Sequence, residues 1–114
     1  TRFDFLCDKN ILEVKNVTLV RHDATAEFPD AITSRGSKHL KMLTNSIKNG
    51  YKPYVLFLTQ IQDINKFKIA KDIDVNYYKD YIEAKKAGVN FIAYRCYLSS
   101  REIKIEKKIK IIND

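Results

Sequence analysis

Polar and apolar positions alternate from the first residues, where Arg2 to Cys7 steps from face to face as a half-buried strand does. Asp8-Lys9-Asn10 reads as a turn, and the pattern predicts a second strand from Ile11 to Val20. Arg21-His22-Asp23 breaks that run. Ala24 to Phe28 predicts a short third strand, which Pro29 ends because proline brings no amide to a ladder. The spacing then changes from two to between three and four. Leu40, Leu43, Ser46 and Ile47 share one face of a predicted helix that Thr33 or Ser34 caps and Gly50 closes. Pro53 to Ile61 is nearly continuous in hydrophobicity, as a central strand covered on both faces should be.

Residues 62–73 read as a polar connection. Asp74 caps a second predicted helix, Val75 to Ala87, with Tyr78, Tyr81, Ile82 and Lys85 along one side and Gly88 at its end. Val89 to Leu98 predicts another strand, Ser99-Ser100 a turn, and Ile103 to Ile111 a last strand. The alternating Ile, Lys and Glu of that last strand suggest an edge guarded by lysines. The predicted order is β-β-β-α-β-α-β-β, an α/β (α+β) fold with a mixed sheet flanked by helices. With 114 residues, the chain is expected to form a single domain.

Composition narrows the function classes. Lys and Arg number 21 against 14 Asp and Glu, a formal net charge of +7. Such an excess favours polyanions, nucleic acid above all, although a lysine-rich solvated surface gives the same count. No apolar run approaches the roughly 20 residues of a membrane span, so a soluble, cytoplasmic protein with no membrane partner is expected. Cys7 and Cys96 are the only cysteines, and two reduced thiols suit that compartment. They and the two histidines lack the spacing of a zinc site.

The candidate chemistry lies in Asp4 and Glu13-Val14-Lys15. If Asp8-Lys9 is a two-residue turn, Cys7 pairs with Asn10, Phe5 with Leu12, and Asp4 falls opposite Glu13. Side chains alternate along a strand, so Asp4, Glu13 and Lys15 share one face, and Phe3, Phe5, Leu12 and Val14 form an apolar face behind them. Two carboxylates suit a hard cation such as Mg²⁺ or Mn²⁺, and a lysine beside them can orient water or offset charge on a phosphate. The same three residues equally suit cross-strand ion pairing.

The stretch RFDF followed by ILEVKNVTLV resembles the PD-(D/E)xK nuclease motif, with Asp4 as first acid, Glu13 as second and Lys15 as the lysine. Phe3 stands where the nominal proline would be. EVKNVTL, FPDAITSRGSKHL, VLFLTQ and AYRCYL together resemble the sugar fermentation stimulation protein (SfsA) family over essentially the whole chain. That resemblance implies residues 1–114 to be a PD-(D/E)xK restriction-endonuclease-like domain, with the family's N-terminal OB-like domain lying outside this sequence, which begins with Thr1 as a fragment would. It implies a metal-dependent DNA nuclease, with RNA as another substrate to test. The alternative is a non-catalytic, non-specific DNA-binding regulator linked to sugar metabolism.

In this reading Asp4 and Glu13 hold the metal with the Val14 carbonyl, and Lys15 positions the attacking water. Asp30 is a third acid near the metal or a helix-entry cap. Arg35 and Lys38, at the start of the first helix, are placed to meet phosphate. His39 shares a helical face with Arg35 and is a proton carrier, a phosphate contact or a plain surface histidine. Gln60 contacts nucleic acid or satisfies a strand end. The seven tyrosines include candidates for base stacking alongside core packing.

Overall fold

The computed structural model describes residues 4–98 and 101–112. Arg2, Phe3 and the Ser99-Ser100 turn lie outside the described residues.

A hairpin opens the fold. β1 (Phe5–Cys7) and β2 (Asn10–Val17) are antiparallel, with Cys7 opposite Asn10 and Phe5 opposite Leu12, the register of the two-residue Asp8-Lys9 turn. Asp8 takes a φ of 54°, which aspartate tolerates better than most residues. β3 (Leu19–His22) and β4 (Thr25–Phe28) form a second antiparallel pair. There follow α1 (Ser34–Ser46) with a 3-10 turn at Ile47–Asn49, then β5 (Lys52–Thr59), β6 (Lys66–Ile69), α2 (Val75–Ala87), β7 (Asn90–Leu98) and β8 (Ile103–Ile111).

These strands make one mixed sheet in the order β1-β2-β5-β7-β8-β6-β4-β3. β2, β5 and β7 run parallel, β8 is antiparallel to β7, and β8, β6 and β4 run parallel again. β2 stands second in the order and β3 last, yet only Thr18 separates them in the chain. The sheet must therefore curl until its ends approach. Ring contacts agree: Phe57 of β5 stacks on Phe67 of β6 with centroids 4.4 Å apart, although β7 and β8 stand between their strands.

The concave side holds the core. Ile11, Val17, Val55, Phe57, Phe67, Ala93 and Ile109 from the sheet meet Leu40 and Leu43 of α1 and Tyr77, Tyr81 and Ala84 of α2. Each helix starts at a side-chain cap. Thr33 Oγ1 accepts the Gly36 amide at 3.0 Å, and Asp74 Oδ1 accepts the Tyr77 amide at 3.0 Å. Asp74 Oδ2 also accepts the Thr33 amide at 2.8 Å, so one carboxylate ties the two helix starts together. Gly36 leaves no room for a side chain here, since a Cβ would stand 2.9 Å from the Thr33 side chain and 3.1 Å from the Tyr77 ring of α2.

Several expectations change. The predicted strand from Ile11 to Val20 is two strands broken at Thr18, because the curl carries the chain from one end of the sheet to the other. The polar connection contains β6, whose Phe67 and Ile69 are buried; four residues are too few for alternation to stand out. β8 is interior, between β7 and β6, and the edges are β1 and β3. On α2 the buried stripe is Tyr77, Tyr81 and Ala84, one position back from the one predicted, with Tyr78 and Ile82 at its margin. Tyr77 and Tyr81 are wholly buried, which removes them from any base-stacking role.

Candidate functional site

Along β2 burial alternates in the opposite sense to the apolar-face expectation. Ile11, Glu13 and Val17 point into the concave core, whereas Leu12 and Val14 are half-buried and Phe5 remains 60% exposed. Neighbouring strands explain this. β5 lays Val55 and Phe57 beside Glu13 and Lys15, and these belong to the core face. The carboxylate of Glu13 is thus carried inside by the strand that surrounds it, at 4% exposure.

Asp4 reaches the same place from the other arm of the hairpin. It lies just before β1, and its Oδ2 accepts the Val14 amide at 2.7 Å, which holds it beside Glu13. Lys15 Nζ stands 3.8 Å from Glu13 Oε1, with the lysine side chain 18% exposed. α1 covers the group. His39, 8% exposed, brings Nδ1 to 3.6 Å from Glu13 Oε1. Glu13 Oε2, His39 Nδ1 and Tyr77 Oη are buried without a hydrogen-bond partner.

The electrostatics follow from that packing. Burial, and then the Asp4 charge, push the Glu13 carboxyl above its ordinary range, while Lys15 and Arg35 pull it back. Burial, Lys15 and Arg35 depress the His39 imidazolium, against the pull of Asp4, with Lys38 adding to the depression. Tyr77 is raised by burial, then by Tyr81 and Glu13, so its hydroxyl stays protonated. A buried carboxylate with an orphaned oxygen, a second carboxylate at its side and a lysine at its rim make a donor set that a divalent cation fits.

Of the residues singled out from sequence, Asp4, Glu13, Lys15 and His39 come together, and Arg35 and Lys38 lie within electrostatic reach from the exposed side of α1. Val14 sits between the acid and the lysine with its amide held by Asp4. Asp30 is exposed in the link from β4 to α1, and Gln60 is exposed just past β5. Among the described residues no group of three or more His, Cys, Asp and Glu stands close enough to hold a metal by itself, so neither Asp30 nor His39 completes such a set with Asp4 and Glu13. Tyr77 belongs to the surroundings of Glu13 and was missed as a site residue. No signal in the sequence separates it from Tyr78, since the packing of α2 on α1 selects the buried stripe.

A second ionic group lies around β3 and β4. The guanidinium of Arg21 gives Nη2 to Glu27 Oε1 at 2.6 Å and Nε to Glu27 Oε2 at 3.1 Å, and also grips Asp72 at 2.7 and 2.8 Å. The Glu27 side chain is fully buried, and Arg21 holds the Asp72 carboxyl down to about 2.

A curled mixed sheet with two paired helices in its hollow, and a buried carboxylate between β2 and α1, defines the class as an α+β domain with a polar junction set into its core. The chain belongs to the sugar fermentation stimulation protein family, whose "Sugar fermentation stimulation protein RE domain" model matches residues 1–102. A sugar fermentation stimulation protein homolog of Pelagibacter ubique is 65% identical over 117 residues, covering 99% of this chain and 50% of the relative. One from Bartonella quintana is 38% identical, covering 100% of this chain and 51% of its own length. The solved structure of Pyrococcus furiosus SfsA in complex with Ca²⁺ superposes with a TM-score of 0.82 at 27% identity, covering 94% of this chain and 47% of that one. The chain thus spans about half the length of the relatives it matches. Among the described residues no helix is long and apolar enough to cross a membrane.

Proposed function

We propose that this chain carries the active site of a metal-dependent DNA nuclease, in which Asp4, Glu13 and the Val14 carbonyl hold Mg²⁺ or Mn²⁺. The observation that carries this reading is Glu13, a carboxylate buried to 4% exposure with one oxygen unpartnered and Asp4 and Lys15 at its side. A carboxylate kept in such a place at a cost to folding is characteristic of a functional site. The Ca²⁺ bound in the Pyrococcus furiosus relative supports the same choice of ligand chemistry. Asp30, exposed in the link from β4 to α1, stands outside this ligand set.

The bound cation would supply Lewis-acid polarisation of the phosphodiester and a water of lowered pKa. Lys15, at the rim, orients the attacking water and offsets negative charge that builds on the phosphoryl oxygens. Arg35 and Lys38, exposed on the first turns of α1, bind the flanking phosphates, and Gln60 extends that contact. Glu13 is closed off from bulk water by α1, which strengthens every charge interaction there.

End-labelled single- and double-stranded DNA, incubated with the full chain and Mg²⁺ or Mn²⁺, should be cut, and EDTA should stop it. Glu13→Ala and Lys15→Ala should each lower the rate by about a hundredfold or more. Cleavage that survives Glu13→Ala would remove this assignment.

The second reading is a DNA-binding protein without catalysis, favoured by the net charge of +7 and by the exposed Arg35 and Lys38. Binding that falls steeply with salt, is unchanged in Glu13→Ala and yields no products would establish it. RNA of the same sequence, run as competitor, decides between the two nucleic acids.

A further inference from the structure

His39 reads from sequence as a phosphate contact, a proton carrier or a plain surface histidine, and the structure gives it a different setting, buried against the sheet. The residue is 8% exposed and its Nδ1 is fully buried without a partner, so that nitrogen cannot reach a phosphate on the surface of α1. What it faces is Glu13, with Oε1 at 3.6 Å, and the other oxygen of that carboxylate, Oε2, is itself unpartnered. At that distance the two are not hydrogen-bonded in this structure, and catalytic hydrogen bonds often tighten only when a ligand is bound. Both groups sit on anchored backbone. Glu13 is registered against Val55 in the parallel part of the sheet. His39 lies one and a half turns into α1, beside the core residue Leu40 and behind the Thr33 cap that Asp74 secures.

We propose that His39 is a positioning residue for Glu13: its Nδ1–H donates to the carboxylate and so decides which oxygen is left to face a divalent cation. Histidines and carboxylates behind a metal ligand commonly set its orientation in this way, and their loss weakens metal affinity ten- to a hundredfold. The inference rests on the metal-site reading above and adds a role that involves no contact with nucleic acid.

The test uses Ca²⁺ binding to the full chain by titration calorimetry, which needs no turnover. In His39→Asn the amide nitrogen falls near the place of Nδ1, whereas in His39→Gln it falls near Nε2. We expect His39→Asn to bind within about threefold of wild type, and His39→Gln and His39→Ala to lose ten- to a hundredfold. Three equal losses, or three unchanged affinities, would overturn the role. So would unchanged Ca²⁺ binding with DNA affinity lost in all three, which would make His39 a phosphate contact.

Folding is kept out of the answer by a measurement on wild type. Proton–nitrogen correlation spectra of the imidazole should show the Nδ1–H tautomer for His39, with that proton shifting downfield when Ca²⁺ is added. An Nε2–H tautomer, or an unmoved Nδ1 signal in protein that binds Ca²⁺, would also overturn it. Wild type that binds neither Ca²⁺, Mg²⁺ nor Mn²⁺ would remove the metal-site reading and this inference together. Metal binding without cleavage would leave the positioning role standing and remove only the nuclease.

Discussion

Glu13 decides most at the scale of single residues. Its carboxyl is pushed above 4.5 in the folded state, first by burial and then by Asp4. The folded protein therefore holds that proton to higher pH than the unfolded chain does. This contribution to stability is present in full below about pH 4.5 and is lost as pH rises through the folded-state value. Metal-free Glu13→Gln should consequently melt higher than wild type at pH 7, because the amide carries no charge into the buried site. His39 works in the other direction. Its pKa is lowered from 6.5, so its contribution is present above that value and fades as pH falls below it. In Glu13→Gln that decline on acidification should stand alone. Melting curves between pH 4 and 8 check both statements, and a lower melting point for Glu13→Gln at pH 7 would contradict the first.

At the scale of elements, Asp74 connects what sequence treats as two separate helices. It caps α2 through Tyr77 and accepts the Thr33 amide, one residue before α1 begins. Asp74→Ala removes a helix cap and leaves the part-buried Thr33 amide without its acceptor. A loss of about 2–3 kcal/mol should appear in denaturant unfolding, more than the roughly 1 kcal/mol of an isolated cap. Asp74→Asn, which keeps an acceptor oxygen, should recover part of it. The caps themselves were legible in sequence. Thr33, Asp74 and Gly88 bound their helices as predicted because a cap involves residues only three or four apart. The hairpin takes the register of a two-residue Asp8-Lys9 turn, one of the placements that the sequence left open. Which stripe of α2 would be buried was not legible, because Tyr77 and Tyr78 are equally apolar and only the partner α1 chooses between them.

On the scale of the whole molecule, the curl is held by ionic as well as apolar contacts. β3 is an edge strand with a register irregularity between Val20 and His22, and it is short. Arg21 fastens it by gripping both oxygens of the buried Glu27 on β4 and, across the fold, Asp72 before α2. Lys68 of β6 stands 4.0 Å from the same Glu27 oxygen. Glu27→Ala leaves two cations facing an apolar gap, and should cost about 2–4 kcal/mol of stability, read by denaturant unfolding. Hydrogen exchange should show the loss first in the amides of β3 and β4. An unchanged midpoint would mean that Arg21 and Asp72 hold β3 without Glu27.

Local chemistry thus lay open in the sequence: the two helices with their caps, the opening hairpin, the central strand β5, the gathering of Asp4, Glu13 and Lys15, and the resemblance carried by its motifs. Tertiary structure decided the rest. It broke the run from Ile11 to Val20 at Thr18, made β6 from four residues in a polar stretch, and placed the lysine-rich β8 inside the sheet. It also chose the Glu13 face of β2 as the buried one and set His39 of α1 against it. The physical reason is the range of the interactions. Caps, turns and alternation are settled by neighbours along the chain, whereas strand order, curl and the burial of a charge depend on contacts between residues tens of positions apart.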